Sequence, residues 1–103
     1  MISFIETRLF TRLVTECLTD EEYSALQHAL AMDPQLGPVI PGSGGVRKVR
    51  WRAAGRGKRG GVRVIYYVKT RQGQIWMLTM YEKSVKETIP AHVLRQIKDE
   101  IDD

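Results

Sequence analysis

Between Pro34 and Tyr81 the chain contains no aspartate or glutamate, yet it carries ten basic residues: Arg47, Lys48, Arg50, Arg52, Arg56, Lys58, Arg59, Arg63, Lys69 and Arg71. All twelve acids and the other six cations lie in the flanks, so a net charge of +4 averages a strongly cationic centre with anionic ends. The cations are interleaved with Val49, Trp51, Val62, Val64, Ile65, Tyr66, Tyr67 and Val68. That alternation builds strands and not a solvated tail. A folded sheet with a cationic surface is expected, and a polyanion is the leading candidate partner for it.

At 103 residues the chain reads as one domain, 1–103, able to bury roughly 60–70% of its unfolded surface without covalent staples. Cys17 has no second cysteine to pair with, and no Cys or His cluster has zinc-ligand spacing. No metal and no cofactor are expected. No apolar run approaches the roughly 18 residues of a spanning helix, and the N-terminus lacks the pattern of a signal peptide. A soluble protein of the cytoplasm, with no membrane partner, is the simplest expectation.

The pattern predicts strand, helix, helix, three strands and helix. Ser3 to Glu6 reads as a first strand, ending where Thr7 can cap a helix bearing Leu9, Phe10, Leu13, Val14 and Cys17. Thr19 and Glu22 have capping-box spacing, so a second helix should begin at Asp20, with Tyr23, Leu26, Gln27 and Leu30 on one face. It should stop before Pro34, because a residue preceding proline is pushed out of the helical region. Residues 34–45 form a loop rich in proline and glycine.

In Val46 to Arg52, alternation places Val49 and Trp51 on one face with Arg47, and Lys48, Arg50 and Arg52 on the other with Val46. In Val62 to Val68 the core face holds Val62, Val64, Tyr66 and Val68, leaving Arg63, Ile65 and Tyr67 opposite. Ile75 to Tyr81 is apolar on both faces, as a central strand should be. Gly73 suits the hairpin that joins these last two strands. Val93, Leu94, Ile97 and Ile101 give the stripe of a final helix started near Thr88, with Pro90 in its first turn. The fold class is α+β: a small, mainly antiparallel sheet packed by two N-terminal helices and one C-terminal helix.

Gly55-Arg56-Gly57-Lys58-Arg59-Gly60 spells the dinucleotide fingerprint G-x-G-x-x-G but leads into a strand, not a helix, and no Ser or Thr follows Lys58. A mobile basic loop that follows phosphates, or a solvated turn that binds nothing, suits it better. His28 and His92 lie on helical segments beside acids and away from the basic sheet, which favours surface roles. Trp51, Tyr66 and Trp76 sit at core-parity positions, whereas Tyr67 and Tyr81 are better placed for stacking on bases. Lys48, Arg50 and Arg63, with Lys83 just past the central strand, form the informative group. Cations that converge on one face repel one another, which costs stability unless an anion arrives.

Taken together, Leu18-Thr19-Asp20-Glu21-Glu22-Tyr23, the Asp33-Pro34 stop, Gly44-Gly45-Val46-Arg47-Lys48-Val49-Arg50, the glycine loop to Gly61, Val62-Arg63-Val64-Ile65-Tyr66-Tyr67 and Tyr81-Glu82-Lys83 resemble RelE-like toxins of bacterial type II toxin-antitoxin systems, in the HigB-type branch. The resemblance covers most of the chain. It implies a helix-packed sheet, a metal-independent endoribonuclease that uses 2′-OH attack on mRNA in the ribosomal A site, and a cognate antitoxin with a helix-turn-helix domain. By strand position it carries the family's catalytic cations to Lys48, Arg50 and Arg63, and a further basic position to Lys83. Ser84 stands where the family often has an arginine, and the family's C-terminal catalytic tyrosine has no aligned counterpart. Tyr81 and Lys58 are the candidates to fill that gap. Lys48, crowded by Arg47, Arg50 and Arg63, is the expected proton acceptor, because neighbouring positive charge disfavours its ammonium form. Arg47, Arg52, Arg56, Lys58, Arg59 and Tyr67 are the expected RNA-binding residues. Two rival readings keep the same fold: a non-catalytic nucleic-acid-binding module, and a phage or accessory protein that binds mainly a protein partner.

Overall fold

A computed structural model describes residues 1–85 and 89–102. Strand β1 (Ser3–Glu6) is followed by helices α1 (Arg8–Cys17) and α2 (Asp20–Met32), strands β2 (Arg47–Ala53), β3 (Lys58–Lys69) and β4 (Gln74–Glu82), and helix α3 (Ala91–Asp102). The architecture is the expected α+β one, with two helices before the sheet and one after it. Among the described residues no helix is long and apolar enough to cross a membrane.

Capping fixes both N-terminal helices. The Thr7 side chain accepts from the Phe10 amide at 3.0 Å. Thr19 and Glu22 form a reciprocal capping box, at 3.1 Å and 2.9 Å. Each capping residue satisfies donors that the first helical turn leaves without partners. α2 ends at Met32, as Pro34 requires. The proposed start of α3 near Thr88 lies outside the described residues. The described helix begins one residue past Pro90, whose carbonyl accepts from the Val93 and Leu94 amides.

The sheet order is β1-β4-β3-β2. β1 runs parallel to β4, and the two hairpin-like pairs are antiparallel, so the sheet is mixed, with β3 and β4 central. Apolar stripes from α1 (Phe10, Val14, Cys17) and α2 (Leu26, Leu30) cover one face, packing on Val49, Val62, Val64, Tyr66, Ile75 and Met77. Truncating a side chain as deeply buried as Leu26 would cost about 2–5 kcal/mol. A smaller cluster lies on the other face, where Leu94 of α3 meets Val46, Ile65 and Leu78. α3 has one deeply buried residue and depends on ties at its far end. There the Tyr67 hydroxyl donates to the Asp102 carboxylate at 2.9 Å, and Lys69 Nζ donates to the Ile101 carbonyl at 2.9 Å.

The 34–45 loop seals part of the β2 edge. The Lys48 amide donates to the Pro38 carbonyl at 3.1 Å. Gly37 packs so closely that an added Cβ would stand 2.6 Å from the Lys48 carbonyl oxygen. The Tyr66 hydroxyl accepts from the Gly37 amide at 2.9 Å and donates to the Pro34 carbonyl at 2.8 Å, pinning the loop from the core side.

Candidate functional site

Strand register decides which cations meet. Arg50 pairs directly with Arg63 across β2 and β3, and Arg63 pairs with Tyr81 across β3 and β4. One step along, Lys48 pairs with Ile65, and Ile65 pairs with Thr79. Directly opposed side chains have Cβ atoms about 4.5–5.5 Å apart, and successive rows on one face are separated by about 7 Å. Lys48, Arg50, Arg63 and Tyr81 therefore occupy two adjacent rows on one face of three neighbouring strands. It is the face that bears α3, with α3 covering its other end.

Tyr81 reaches that face because of a bulge. The pairing passes from Tyr66–Met77 to Ile65–Thr79, leaving Leu78 as the extra residue. Strict alternation from Trp76, which packs on the α3 side, would send Thr79 and Tyr81 to the helix-covered face. The added residue reverses the parity beyond it, so Met80 joins the α1–α2 core while Thr79 and Tyr81 face α3. Re-aiming a side chain is a recurrent use of bulges beside functional sites.

Lys83 comes to the same end of the sheet. Its amide donates to the Gly61 carbonyl at 3.3 Å, and its stem lies against Gly60. The Arg63 guanidinium donates to the Gly60 carbonyl at 3.3 Å. Arg50, Lys48 and Lys83 are exposed; Arg63 and Tyr81 are half-buried. None of these cations makes an ion pair among the described residues. Like charges set directly opposite one another destabilise a sheet, and an anion bound across Arg50 and Arg63 would relieve that repulsion. Burial pushes the Tyr81 phenol up from its ordinary value, with Arg63 partly offsetting that. The hydroxyl is thus a proton donor at neutral pH.

Most of the remaining expected RNA-binding residues separate from this group. Arg47 points to the opposite face and donates from Nη1 to the Gly37 carbonyl at 2.8 Å. The glycine motif is folded: it contains a short 3-10 turn, Ala54–Arg56, and Gly57 has φ +74°. Its Gly55 amide donates to Glu22 Oε2 at 3.0 Å, so the capping carboxylate of α2 also anchors this loop. Those backbone donors hold the Glu22 carboxyl below its usual range. Arg56 donates to the Leu18 carbonyl at 3.4 Å, and Lys58 pairs with Glu82 at 3.6 Å. Both lie toward the junction of α1 and α2, so Lys58 is not brought to the Arg50–Arg63 row. Arg52 stays exposed on the face of Lys48 and Arg50, one alternation past Arg50 at the register shift of β2, and Arg59 is exposed at the start of β3. Tyr67 is held by Asp102 beneath α3. Trp51 and Trp76 pack in the two apolar clusters, and His28 and His92 are exposed.

Sequence reasoning passed over Thr79 and the cavity it lines. Its one signal was a lone small polar residue in the apolar run from Ile75 to Met80. Among the described residues no three His, Cys, Asp or Glu side chains are grouped so as to hold a metal ion. No family model matches the chain.

Proposed function

We propose that this chain is a metal-independent endoribonuclease that cleaves mRNA in the ribosomal A site. It acts as the toxin of a type II pair whose antitoxin carries a helix-turn-helix domain. The observation that carries the catalytic part is the shared face of Lys48, Arg50, Arg63 and Tyr81, two of them cations in direct opposition. The toxin-antitoxin part rests on the sequence resemblance.

RNA supplies its own nucleophile. Lys48 takes the proton of a 2′-OH, whose oxygen attacks the adjacent phosphorus. Arg50 and Arg63 stabilise the doubly charged phosphorane, which is where fixed cations contribute most. The P–O5′ bond breaks, leaving a 2′,3′-cyclic phosphate on one fragment. The departing 5′-oxygen takes a proton from the Tyr81 hydroxyl. Lys83 adds positive charge at the end of the row. Positioning supplies much of the rate, and the ribosome provides it by holding the codon splayed, so naked RNA is a poor substrate.

The test adds purified protein to ribosomes programmed with a defined mRNA and maps the new 5′-ends. Cuts within the A-site codon, slow cleavage of the same RNA without ribosomes, and growth arrest relieved by a helix-turn-helix partner are expected. RNA binding without any cleavage would overturn the reading in favour of a nucleic-acid-binding module.

A further inference from the structure

Between the sheet and α3 lies a cavity of about 240 Å³, lined by Ile40, Lys48, Ile65, Thr79, Tyr81 and Leu94 among others. It opens beside the cation row, because Lys48 and Tyr81 belong to both. Its walls are mostly aliphatic. Its volume equals that of roughly eight waters at about 30 Å³ each, the room of one ring system. Thr79 is the deeply buried polar member of the lining, only 7% exposed, within the otherwise apolar run from Ile75 to Met80 of β4. Among the described residues no fully buried side-chain oxygen or nitrogen lacks a partner. Among the described residues no side-chain hydrogen bond takes up the Thr79 hydroxyl, and Thr79 lines the open cavity.

These features combine requirements that an RNA substrate imposes together. Cleavage beside a phosphate needs the flanking base pulled out of its stack, and an unstacked base needs apolar surface on its faces and a polar partner at its edge. The row spacing of about 7 Å between Arg50–Arg63 and Lys48–Ile65–Thr79 sets a phosphate on the first row within one nucleotide of the cavity. We propose that the cavity under α3 receives one unstacked nucleobase of the RNA whose phosphate lies on the Arg50–Arg63 row, with Thr79 determining which base is accepted. This rests on reading the site as RNA-cleaving. A hydroxyl both donates and accepts, so it favours a base edge by hydrogen bonding, while Ile65 and Leu94 hold the ring by its faces.

Methyl-labelled full-length protein, titrated with each of the four nucleoside 3′-monophosphates and with inorganic phosphate, tests the occupant directly. Nucleotides should shift the Ile40, Ile65 and Leu94 methyl signals, and phosphate alone should not. Thr79→Val keeps the shape and suits a strand, and its cut-site profile on programmed ribosomes should change at one base position. Loss of one hydrogen bond of ordinary net strength moves the ratio between bases by roughly three- to tenfold. Methyl signals unmoved by nucleotides, methyls moved by benzene but not by nucleotides, or an unchanged profile in Thr79→Val would overturn the proposal. The two readings fail separately. Nucleotide in the cavity of a chain that cuts no mRNA removes the endonuclease and keeps the base site; cleavage with unmoved methyls and an unchanged profile does the reverse.

Discussion

Replacing Arg63 by glutamine should raise stability slightly while removing activity, which is the reverse of what a structural residue does. Arg63 stands directly opposite Arg50, and like charges in that position destabilise by a few tenths to about 1 kcal/mol. Two unit charges about 7 Å apart in water repel by roughly 0.6 kcal/mol, which agrees. The interaction lost is one 3.3 Å hydrogen bond to the Gly60 carbonyl, and glutamine keeps a donor on that side. The balance lies between zero and about 1 kcal/mol of added stability, a melting-temperature rise of up to about 4–8 °C for a domain of this size. Because the gain is relief of repulsion, it should shrink as salt reduces the Debye length from about 10 Å at 0.1 M to about 3 Å at 1 M. Cleavage should fall by about 10²–10³, as for the loss of one group that stabilises transition-state charge. Thermal melts at both salt concentrations and single-turnover cleavage on programmed ribosomes measure the two quantities. A variant that melts several degrees below wild type, or cleaves within threefold of it, would refute the reasoning.

Lys48→Arg should keep ribosome binding yet cleave at least about 10²-fold more slowly, since a guanidinium stays protonated and cannot accept the 2′-OH proton. Near wild-type single-turnover rates would leave Lys48 as an electrostatic contact only. Tyr81→Phe should cost a similar factor on ordinary RNA and little on RNA with a 5′-thio leaving group, which departs without a proton; equal losses on both substrates would remove Tyr81 as the acid. The capping Glu22 has a folded-state pKa below its unfolded one, so its contribution is present above the ordinary glutamate value and is lost as pH falls through the folded value. Amide protection at Thr19 and Gly55 should therefore drop together in acid, and Glu22→Gln should flatten that dependence. Gly61→Ala should cost more than Gly57→Ala. Both glycines have positive φ, +75° and +74°, but only at Gly61 would the new Cβ stand 2.3 Å from the Trp51 carbonyl oxygen, with open space around Gly57. Chemical denaturation of the pair separates left-handed strain, about 1–2 kcal/mol in both, from the added clash.

Local chemistry made much of this molecule readable from its letters. Thr7, Thr19 with Glu22, and Pro34 mark where the first two helices start and stop through hydrogen bonds and sterics that span three or four residues. The two-residue period of a strand placed Lys48 and Arg50 on one face, and Arg63 with Ile65 on another strand's matching face. What the letters left open depends on register, which is set by how whole strands pack and not by neighbours in sequence. Direct opposition of Arg50 and Arg63 required the β2–β3 pairing. Bringing Tyr81 and Thr79 to the cation face required the extra residue Leu78, and an apolar run gives no sign of where its parity will flip. The basic glycine loop looked free because its anchor, Glu22, lies 33 positions earlier and was already accounted for as a helix cap. Sequence by itself determined the cationic strands and the helix ends, through short-range sterics and charge. Tertiary structure decided which cations face one another and formed the cavity beside them, because both arise only where distant segments meet.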